Sequence, residues 1–462
     1  MDWFLENKTL VVGLVLAVFI VLLLAFNKKL RETLKNIYKI EELRGRILFT
    51  LGLLLIYRLG SFVTLPGIDH AGLEAFTKSF AENDNSLMGL LNIFSGGAFS
   101  QASIFALGVM PYITASIIIQ LMGIMVPYFR KMQREGESGR RRMNQWTRFL
   151  TIAVLLLQAP AYLATQVIPT GAVVANGSLF GIEHGAFIVP AVIVLIAGTM
   201  FIMWLGEKIT DRGIGNGISL IIMIGIVARL PQAFLQEFMF QTTGGGSIIM
   251  LIVELIFLAL VFMLAIAIVQ AVRKIPVQYA KRIVGNKQYG GVRQYIPLKL
   301  NAANVMPIIF AQALMFIPGL IWGGQWLDIT SFWYNFTLAA LVIAFTYFYT
   351  AIIVNPQMMA DDMKRNGGFI PGVKPGKSTV TYIDNIMTRI TLPGSIFLAI
   401  ITILPAIAMS LNITQSFAYF FGGTSLLIMV GVVLDTLKQI ESYLLMRHYD
   451  GLMKTGRIQG RY

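Results

Sequence analysis

The chain has 462 residues, of which 56% are hydrophobic and only 13% are charged, and it contains no cysteine. Soluble domains carry about 25% charged residues, and the mean hydropathy of this chain is +0.71. These values exclude an ordinary soluble fold, and the lack of cysteine excludes disulfides, thiolate catalysis and cysteine-based metal sites.

Eleven apolar stretches are long enough to cross a bilayer, whose hydrocarbon core of about 30 Å needs roughly 20 mainly apolar residues per helix. We predict membrane-spanning helices at 9–26, 46–64, 101–128, 147–168, 186–206, 216–236, 247–270, 303–323, 332–355, 388–410 and 416–438. The sequence therefore predicts an all-α polytopic membrane protein.

Positive charge lies at alternate junctions between these stretches. All but four of the 37 Lys and Arg residues fall in 28–46, 130–148, 207–213, 273–299, 364–389 and 438–461. Because cytoplasmic loops carry the excess of Lys and Arg, these junctions are predicted to face the cytoplasm. With eleven spans, the N-terminus is then outside and the C-terminus is cytoplasmic.

The formal net charge of +14 is thus concentrated on one membrane face. Part of it orients the helices and contacts anionic lipid headgroups. The junctions 129–146, 271–300 and 357–387 are longer than orientation requires. Long basic loops also bind polyanions such as ribosomal RNA through phosphate neutralisation, and both interpretations remain open on charge alone.

Charged residues inside the predicted spans are few. Arg58 lies toward the outer end of its span, where a long stem can snorkel; Glu254 is near the outer interface and Asp435 near the inner one. Ion-coupled transporters keep ionisable groups along their pathway because such groups are costly in a membrane. The pattern disfavours coupled transport of small solutes and leaves a pore or an uncoupled carrier.

Two glycine-rich stretches resemble nucleotide-binding motifs but do not match them. The run 372–378 lacks the first glycine of a phosphate loop, because Pro371 stands there, and no strand precedes it. The run 213–217 links two apolar spans and is predicted to be a tight cytoplasmic turn with a glycine at positive φ.

Residues 86–100 form an apolar segment that is too short to cross a bilayer and is broken by Gly96 and Gly97. The segment is either a re-entrant piece or an interfacial helix. Non-helical backbone at membrane depth is tolerated only beside protein or a water-filled cavity. A re-entrant piece would therefore imply a cavity open to the outer side.

Five stretches in fixed order carry a family resemblance. They are MGLLNIFSGGAFSQASIFALGVMPYI at 88–113, REGESGRR at 134–141, WLGEKITDRGIGNGIS at 204–219, YAKR at 279–282 with PLKLN at 297–301, and FGGTSLL at 421–427. The chain resembles the SecY family of protein-conducting channel subunits from about Lys28 to the C-terminus, over 90% of its length.

The resemblance implies a ten-helix channel whose two halves form an inverted repeat, with one extra N-terminal helix. It divides the chain into an extra segment 1–27, a first half 28–240, a second half 241–445 and a cytoplasmic tail 446–462. It makes 86–98 a plug, whose apolar residues are Leu87, Met88, Leu90, Leu91, Ile93 and Phe94. It places a pore ring at Val109, Ile113, Ile222, Ile309 and Ile428.

The resemblance also implies a lateral gate between 101–128 and the span that begins at Asn301, with Gln120 and Asn301 forming a hydrogen bond across it. It assigns cytoplasmic partner docking to Arg273, Lys274, Lys281, Arg282, Lys287 and Lys374. Two positions depart from the family pattern. Lys374 stands where many members have Arg; lysine keeps the charge but lacks the planar fork of five donors that arginine has. Asn286 stands beside Lys287 at one position of a pair that is basic in the family.

The expected function is that of the central pore subunit of the Sec translocon in the bacterial inner membrane. It would conduct unfolded secretory proteins across the membrane and release membrane proteins laterally into it. The resemblance implies SecE and SecG as companion subunits, the motor ATPase SecA and the ribosome as partners, and signal peptides and nascent polypeptides as substrates. No catalytic residue, cofactor or metal is expected.

Two questions stay open at this level. The segment 1–27, which family members usually lack, is an accessory helix, a signal anchor or a fused piece. A solute carrier and a membrane insertase or assembly scaffold are the alternative functions. A carrier would saturate with a small molecule and keep polar groups at the membrane midplane, whereas a translocon would crosslink to nascent chains.

Overall fold

The computed structural model describes residues 40–69, 92–170, 173, 185–243, 247–279, 282–284, 287–289, 293–322 and 330–454. The predicted extra span 9–26 lies outside the described residues. So do residues 86–91 of the predicted plug and the last part of the predicted tail.

The helices, numbered in chain order, are α1 Glu41–Gly60, α2 Met110–Met125, α3 Pro127–Arg134, α4 Glu137–Tyr162, α5 Gly185–Arg212, α6 Gly217–Thr243, α7 Ile248–Gln270, α8 Met306–Trp322, α9 Phe332–Ile353, α10 Pro356–Arg365, α11 Lys377–Ser410, α12 Gln415–Ala418 and α13 Gly423–Lys454. Within the described residues, seven helices are long and apolar enough to cross a membrane, or eight if the bent pair α2 and α3 is counted as one span. The prediction of a helical, multi-pass membrane protein is confirmed.

The predicted span 101–128 is wrong in its extent. Residues 101–109 form successive turns, and helix α2 begins only at Met110, with Pro111 in its first turn. Proline is tolerated there because the N–H groups of a first helical turn have no intrahelical acceptor. After α2 the chain bends by 100° into α3.

The described residues form two compact units. The first unit holds α1 through α6 up to Pro231, together with α13 from Val432 onward. The second unit holds the chain from Gln232 to Gly431. The predicted division into halves at 240 and 445 remains a prediction.

Helix α4 shows how helices pack in the first unit. Its buried face repeats every four residues with Thr147, Thr151, Leu155 and Ala159, and the helix packs against α2 and α5. The two threonine hydroxyls donate to backbone oxygens four residues earlier, Thr147 to Met143 at 2.9 Å and Thr151 to Thr147 at 2.7 Å. Small side chains and internally bonded hydroxyls let neighbouring helices approach closely in a membrane.

The turn between α5 and α6 agrees with the prediction for residues 213–217. Gly215 has φ +81°, and its N–H donates to Gln439 Oε1 at 2.8 Å. Thr50 of α1 supports the same turn, because its hydroxyl accepts from the N–H of Ile214 at 3.1 Å. The positive φ is readily available to glycine because glycine has no Cβ.

The second unit contains short strands that the sequence analysis did not predict. They are β1 Val272–Tyr279, β2 Arg282–Val284, β3 Lys287–Tyr289, β4 Arg293–Lys299 and β5 Gly368–Phe369. Strand β1 pairs antiparallel with β4, from Val272 opposite Lys299 to Gln278 opposite Arg293, and with β5 at Gln278 and Tyr279. The sheet order is β4-β1-β5, and β2 and β3 form a separate two-stranded ladder.

A small apolar core anchors this sheet to the helices beside it. Ile275 and Val277 of β1 are buried with Met363 of α10 and with Ile383 and Met387 of α11. Val277 has no exposed surface. Residues 275–278 of β1 alternate between buried and half-buried side chains, as in a strand with one covered face.

A buried polar cluster lies in the second unit near the end of α6. Glu237 is fully buried and accepts hydrogen bonds from the N–H of Thr414 at 2.7 Å, from the hydroxyl of Thr414, and from Gln241 Nε2 at 2.8 Å. Gln241 Nε2 also donates to Glu254 Oε1 at 3.0 Å, and Gln241 Oε1 accepts from the N–H of Ser247 at 3.2 Å. The cluster ties the ends of α6 and α7 to the turn before α12.

Candidate functional site

Residues 92–100, here called the buried turn, are the most unusual part of the first unit. Apart from one helical turn at 92–94 they are non-helical, and every one of them except Phe94 is buried. The segment binds itself: Asn92 Oδ1 accepts from the N–H of Ser100 at 3.1 Å, and Ser95 Oγ accepts from the N–H of Phe99 at 3.0 Å. Internal bonds replace part of the helical ladder that this backbone lacks.

Side chains from three helices satisfy further groups of the buried turn. From α1, Arg58 Nη1 donates to the carbonyl of Gly96 at 2.7 Å and Tyr57 Oη to that of Ser95 at 3.4 Å. From α4, Tyr162 Oη donates to the carbonyl of Phe99 at 2.8 Å. From α6, Arg229 Nη2 donates to Ser100 Oγ at 3.1 Å. The segment is thus held inside protein by side-chain donors.

Two glycines let the buried turn approach α6. Gly96 and Gly97 have φ values of +65° and +95°. A Cβ added at Gly96 would lie 2.8 Å from Cα of Gly225, and one added at Gly97 would lie 2.9 Å from Nη2 of Arg229. The contact at Gly96 is with backbone and does not accommodate a side chain, and the positive φ at both positions favours glycine.

These contacts can be compared with what the sequence predicted for residues 86–100 and for Arg58. The burial of 92–100 supports a re-entrant piece over an interfacial helix. Arg58, expected to snorkel, instead directs its guanidinium onto the carbonyl of Gly96 and lies 4.7 Å from the ring centroid of Phe62. Of the predicted plug residues, Ile93 is buried and Phe94 half-buried. The others, Leu87, Met88, Leu90 and Leu91, lie outside the described residues.

Sequence reasoning predicted none of the four donors to the buried turn, since it expected Arg58 to snorkel and did not single out the other three. Tyr57 and Tyr162 resemble any tyrosine in an apolar helix, and nothing in the sequence connects them to residues 95 and 99. Arg229 does carry a signal, because a cation in an apolar span is expensive and points to a functional contact. Its acceptor, Ser100, is 129 residues away in the chain.

The predicted pore-ring residues are distributed over both units. In the first unit, Val109 and Ile113 lie one turn apart at the start of α2, where the N–H of Ile113 donates to the carbonyl of Val109 at 3.1 Å, and Ile222 is buried in α6. In the second unit, Ile309 is half-buried in α8 and Ile428 is buried in α13. The ring remains a prediction.

The two predicted gate residues each have a partner within their own segment. Gln120 Nε2 donates to Ser116 Oγ at 3.4 Å on the same helix. Asn301 Nδ2 donates to the carbonyl of Asn304 at 3.2 Å, and Asn301 Oδ1 is buried without a hydrogen-bond partner. The predicted bond between them stays a prediction.

The predicted docking residues lie on or beside the strands of the second unit. Arg273 and Lys274 are exposed on β1, and Lys374 is exposed in the loop after β5. Because β1 pairs with β5, the sheet joins the two basic loops that are separate in sequence. Arg282 begins β2 and Lys287 begins β3, whereas Lys281 lies outside the described residues.

Comparison with known proteins identifies what the chain is similar to. A family model described as SecY matches residues 103–437. A protein translocase subunit SecY of Streptomyces scabiei is 42% identical over 444 residues, which cover 90% of this chain and 98% of the relative. A solved protein-conducting channel has a TM-score of 0.57 at 18% identity and covers 90% of this chain and 95% of that chain. Sec61 in a canine ribosome-channel complex from the endoplasmic reticulum has a TM-score of 0.53 at 16% identity, with the same coverage.

Proposed function

The chain belongs to the SecY family of protein translocase subunits, and from this premise we propose that it is the central pore subunit of a Sec translocon. It would pass unfolded polypeptides across the cytoplasmic membrane and release apolar segments sideways into lipid. The observation that carries the proposal is the buried turn 92–100, a largely non-helical segment whose polar groups are bound by side chains of α1, α4 and α6.

A plug must seal the channel at rest and leave when a polypeptide enters. Non-helical backbone at membrane depth needs protein partners for its polar groups, and side-chain donors from α1, α4 and α6 supply several of them. Such bonds are individually modest, contributing about 0.5–1.5 kcal/mol between neutral groups and about 1.5–3 kcal/mol where the donor is charged, as it is in the two arginines. The described part of the proposed plug, residues 92–98, is therefore suited to belong to a removable seal.

The proposed pore ring consists of Val109, Ile113, Ile222, Ile309 and Ile428. Branched aliphatic side chains offer water and ions no hydrogen bonds, so a narrow apolar constriction resists leakage by dewetting. The same side chains do not select for a particular amino-acid sequence in the polypeptide that passes them. The ring and the plug would therefore act in series.

A lateral gate at Gln120 and Asn301 would open to a signal peptide. A hydrogen bond between helices in a membrane contributes about 0.6–2 kcal/mol. An apolar signal region of roughly 10 residues gains on the order of 3–6 kcal/mol in lipid, at about 0.3–0.6 kcal/mol per Leu-like residue. The signal therefore outweighs the bond that would close the gate.

Cytoplasmic partners would bind the sheet β4-β1-β5 and the separate ladder β2-β3. The exposed cations Arg273, Lys274 and Lys374 lie on two loops joined by strand pairing, which fits ribosomal RNA or an acidic surface of SecA. SecE and SecG would complete the complex, and anionic lipids would contact the same cytoplasmic face. In this arrangement the C-terminus is cytoplasmic and the N-terminus, given the extra span, is outside.

Site-specific photocrosslinking to a stalled secretory precursor tests the proposal. A crosslinker at Val109 or Ile309 should give a precursor adduct, because both positions would line the pore. A crosslinker at Leu157 is the control, since that side chain is 77% exposed on an apolar face of α4 and should contact lipid. Adducts at Leu157 with none at Val109 and Ile309, or saturable uptake of a small solute, would refute the pore and favour a carrier.

A further inference from the structure

We propose that Arg58 and Arg229 together form an arginine clamp, a pair of positioning residues that hold the buried turn 92–100 closed. The inference deepens the proposed function, on which it rests for the identity of the turn as part of the seal. Every residue of the clamp and of the turn belongs to the first unit.

Both arginines lie where a cation is expensive. Arg58 is 17 positions after the first residue of α1 and Arg229 is 12 positions after the first residue of α6, about 26 and 18 Å along the helix axes at a rise of 1.5 Å per residue. By the charge pattern both helices begin at the cytoplasmic face, so the two side chains lie in the middle and outer parts of the membrane. Ionisable residues at such depths are kept for a specific contact.

Arg58 holds the first part of the turn. Its Nη1 is 2.7 Å from the carbonyl oxygen of Gly96, a short bond from a charged donor. The guanidinium also lies 4.7 Å from the centroid of the Phe62 ring, at which distance the face of the ring attracts a cation. One carbonyl and one ring therefore fix the orientation of this side chain.

Arg229 holds the second part of the turn. Its Nη2 is 3.1 Å from Ser100 Oγ, and that hydroxyl in turn donates to the carbonyl of Gly97 at 3.1 Å. The guanidinium lies so close to the backbone that a Cβ at Gly97 would be 2.9 Å from Nη2. The guanidinium of Arg229 is thereby connected to the carbonyl of Gly97 through the hydroxyl of Ser100.

The two contacts act at opposite ends of five residues, 96 to 100, and come from different helices. A turn that left its place would expose the Gly96 carbonyl, the Ser100 hydroxyl and both guanidinium groups together. The clamp therefore makes release of the seal a concerted event, whereas Tyr57 and Tyr162 provide neutral bonds to the neighbouring residues 95 and 99.

The test uses the full chain co-purified with its companion subunits and reconstituted in vesicles of phosphatidylethanolamine and phosphatidylglycerol. Because the chain has no cysteine, a single Ala98→Cys change in the buried turn, at a site 1% exposed, gives a maleimide probe of opening. Arg58→Met and Arg229→Met are the test variants, each with a conservative Lys variant. Arg148→Met is the control, because it breaks the exposed ion pair with Glu207 and leaves the turn untouched.

We expect each Met variant to raise the labelling rate at Ala98→Cys and the chloride leak of the vesicles about 10-fold or more, the lower end of the factor that corresponds to losing one charge-assisted hydrogen bond. The Lys variants should recover most of the difference, since an ammonium still donates to an oxygen. Arg148→Met should match the unaltered chain. Recovery by Lys separates a positioning role from a loss of packing.

Labelling and leak rates in both Met variants within about twofold of the unaltered chain would overturn the clamp. If a Met variant fails to accumulate, Ser100→Ala removes the acceptor of Arg229 while keeping both arginines, and its rates are read in the same way. An unaltered chain that moves no precursor would defeat the proposed function instead, and the labelling rates would still decide the clamp.

Discussion

Replacing Glu237 with Ala perturbs the buried polar cluster at the end of α6. The carboxylate is fully buried and accepts from the N–H and hydroxyl of Thr414 and from Gln241 Nε2. Ala removes the acceptor and leaves the N–H of the half-buried Thr414 without its carboxylate partner. The change therefore separates the turn before α12 from α6.

The size of the effect follows from the number of bonds lost. A hydrogen bond to a charged group contributes about 1.5–3 kcal/mol, and a buried donor left without an acceptor costs about 1–3 kcal/mol. Gln241 keeps its bond to Glu254, so the loss is concentrated at Thr414. We expect Glu237→Ala to lower the free energy of unfolding by about 3–5 kcal/mol, and Glu237→Gln, which retains one acceptor oxygen, by about half as much.

The assay is unfolding of the purified complex by a denaturing detergent, followed by the fluorescence of the six tryptophans. Glu207→Ala is the matched control, because the same substitution there breaks only the exposed ion pair with Arg148 and should cost about 0–1 kcal/mol. Equal unfolding midpoints for Glu237→Ala and Glu207→Ala would refute the reasoning.

Two further predictions concern the gate and the cytoplasmic sheet. Leucine at Gln120 or Asn301 should lower the signal hydrophobicity needed for translocation, measured with a graded series of signal peptides, and unchanged selectivity in both variants would count against this gate. Val277→Asp should abolish binding of cytoplasmic partners, because it places a charge in the core formed with Ile370 and Ile383. Tyr295→Asp, at a position 54% exposed on the adjacent strand β4, adds the same charge and should retain most binding in a vesicle flotation assay.

Much of the helical fold was accessible from the sequence because a membrane imposes simple rules. A span must be long and apolar, and the described helices α4 through α7, α9, α11 and α13 meet that requirement. The turn at Gly215 was also predictable, since positive φ favours glycine. The start of α2 was not, because residues 101–109 are as apolar as a helix and only their contacts show that they are turns.

The strands, like the helices, were predictable from the sequence only in part. The junction 271–300 was identified as long and basic, yet its pairing with Gly368 and Phe369 depends on residues about 90 positions apart. Strand pairing over that distance is set by packing on Met363, Ile383 and Met387 and not by local pattern. The sequence thus indicated two docking loops, and only the structure joined them.

By itself, the sequence determined that the chain is a multi-pass membrane protein, which of its junctions are basic, and that it resembles one channel family. The length of an apolar stretch and the charge of a loop are local properties, so each can be determined from one segment of the sequence at a time. Only the tertiary structure decided that Arg58, Tyr162 and Arg229 meet at the buried turn, and that Glu237 binds Thr414. A buried polar group must find a partner wherever the fold brings one, and that partner is not encoded in the neighbouring residues.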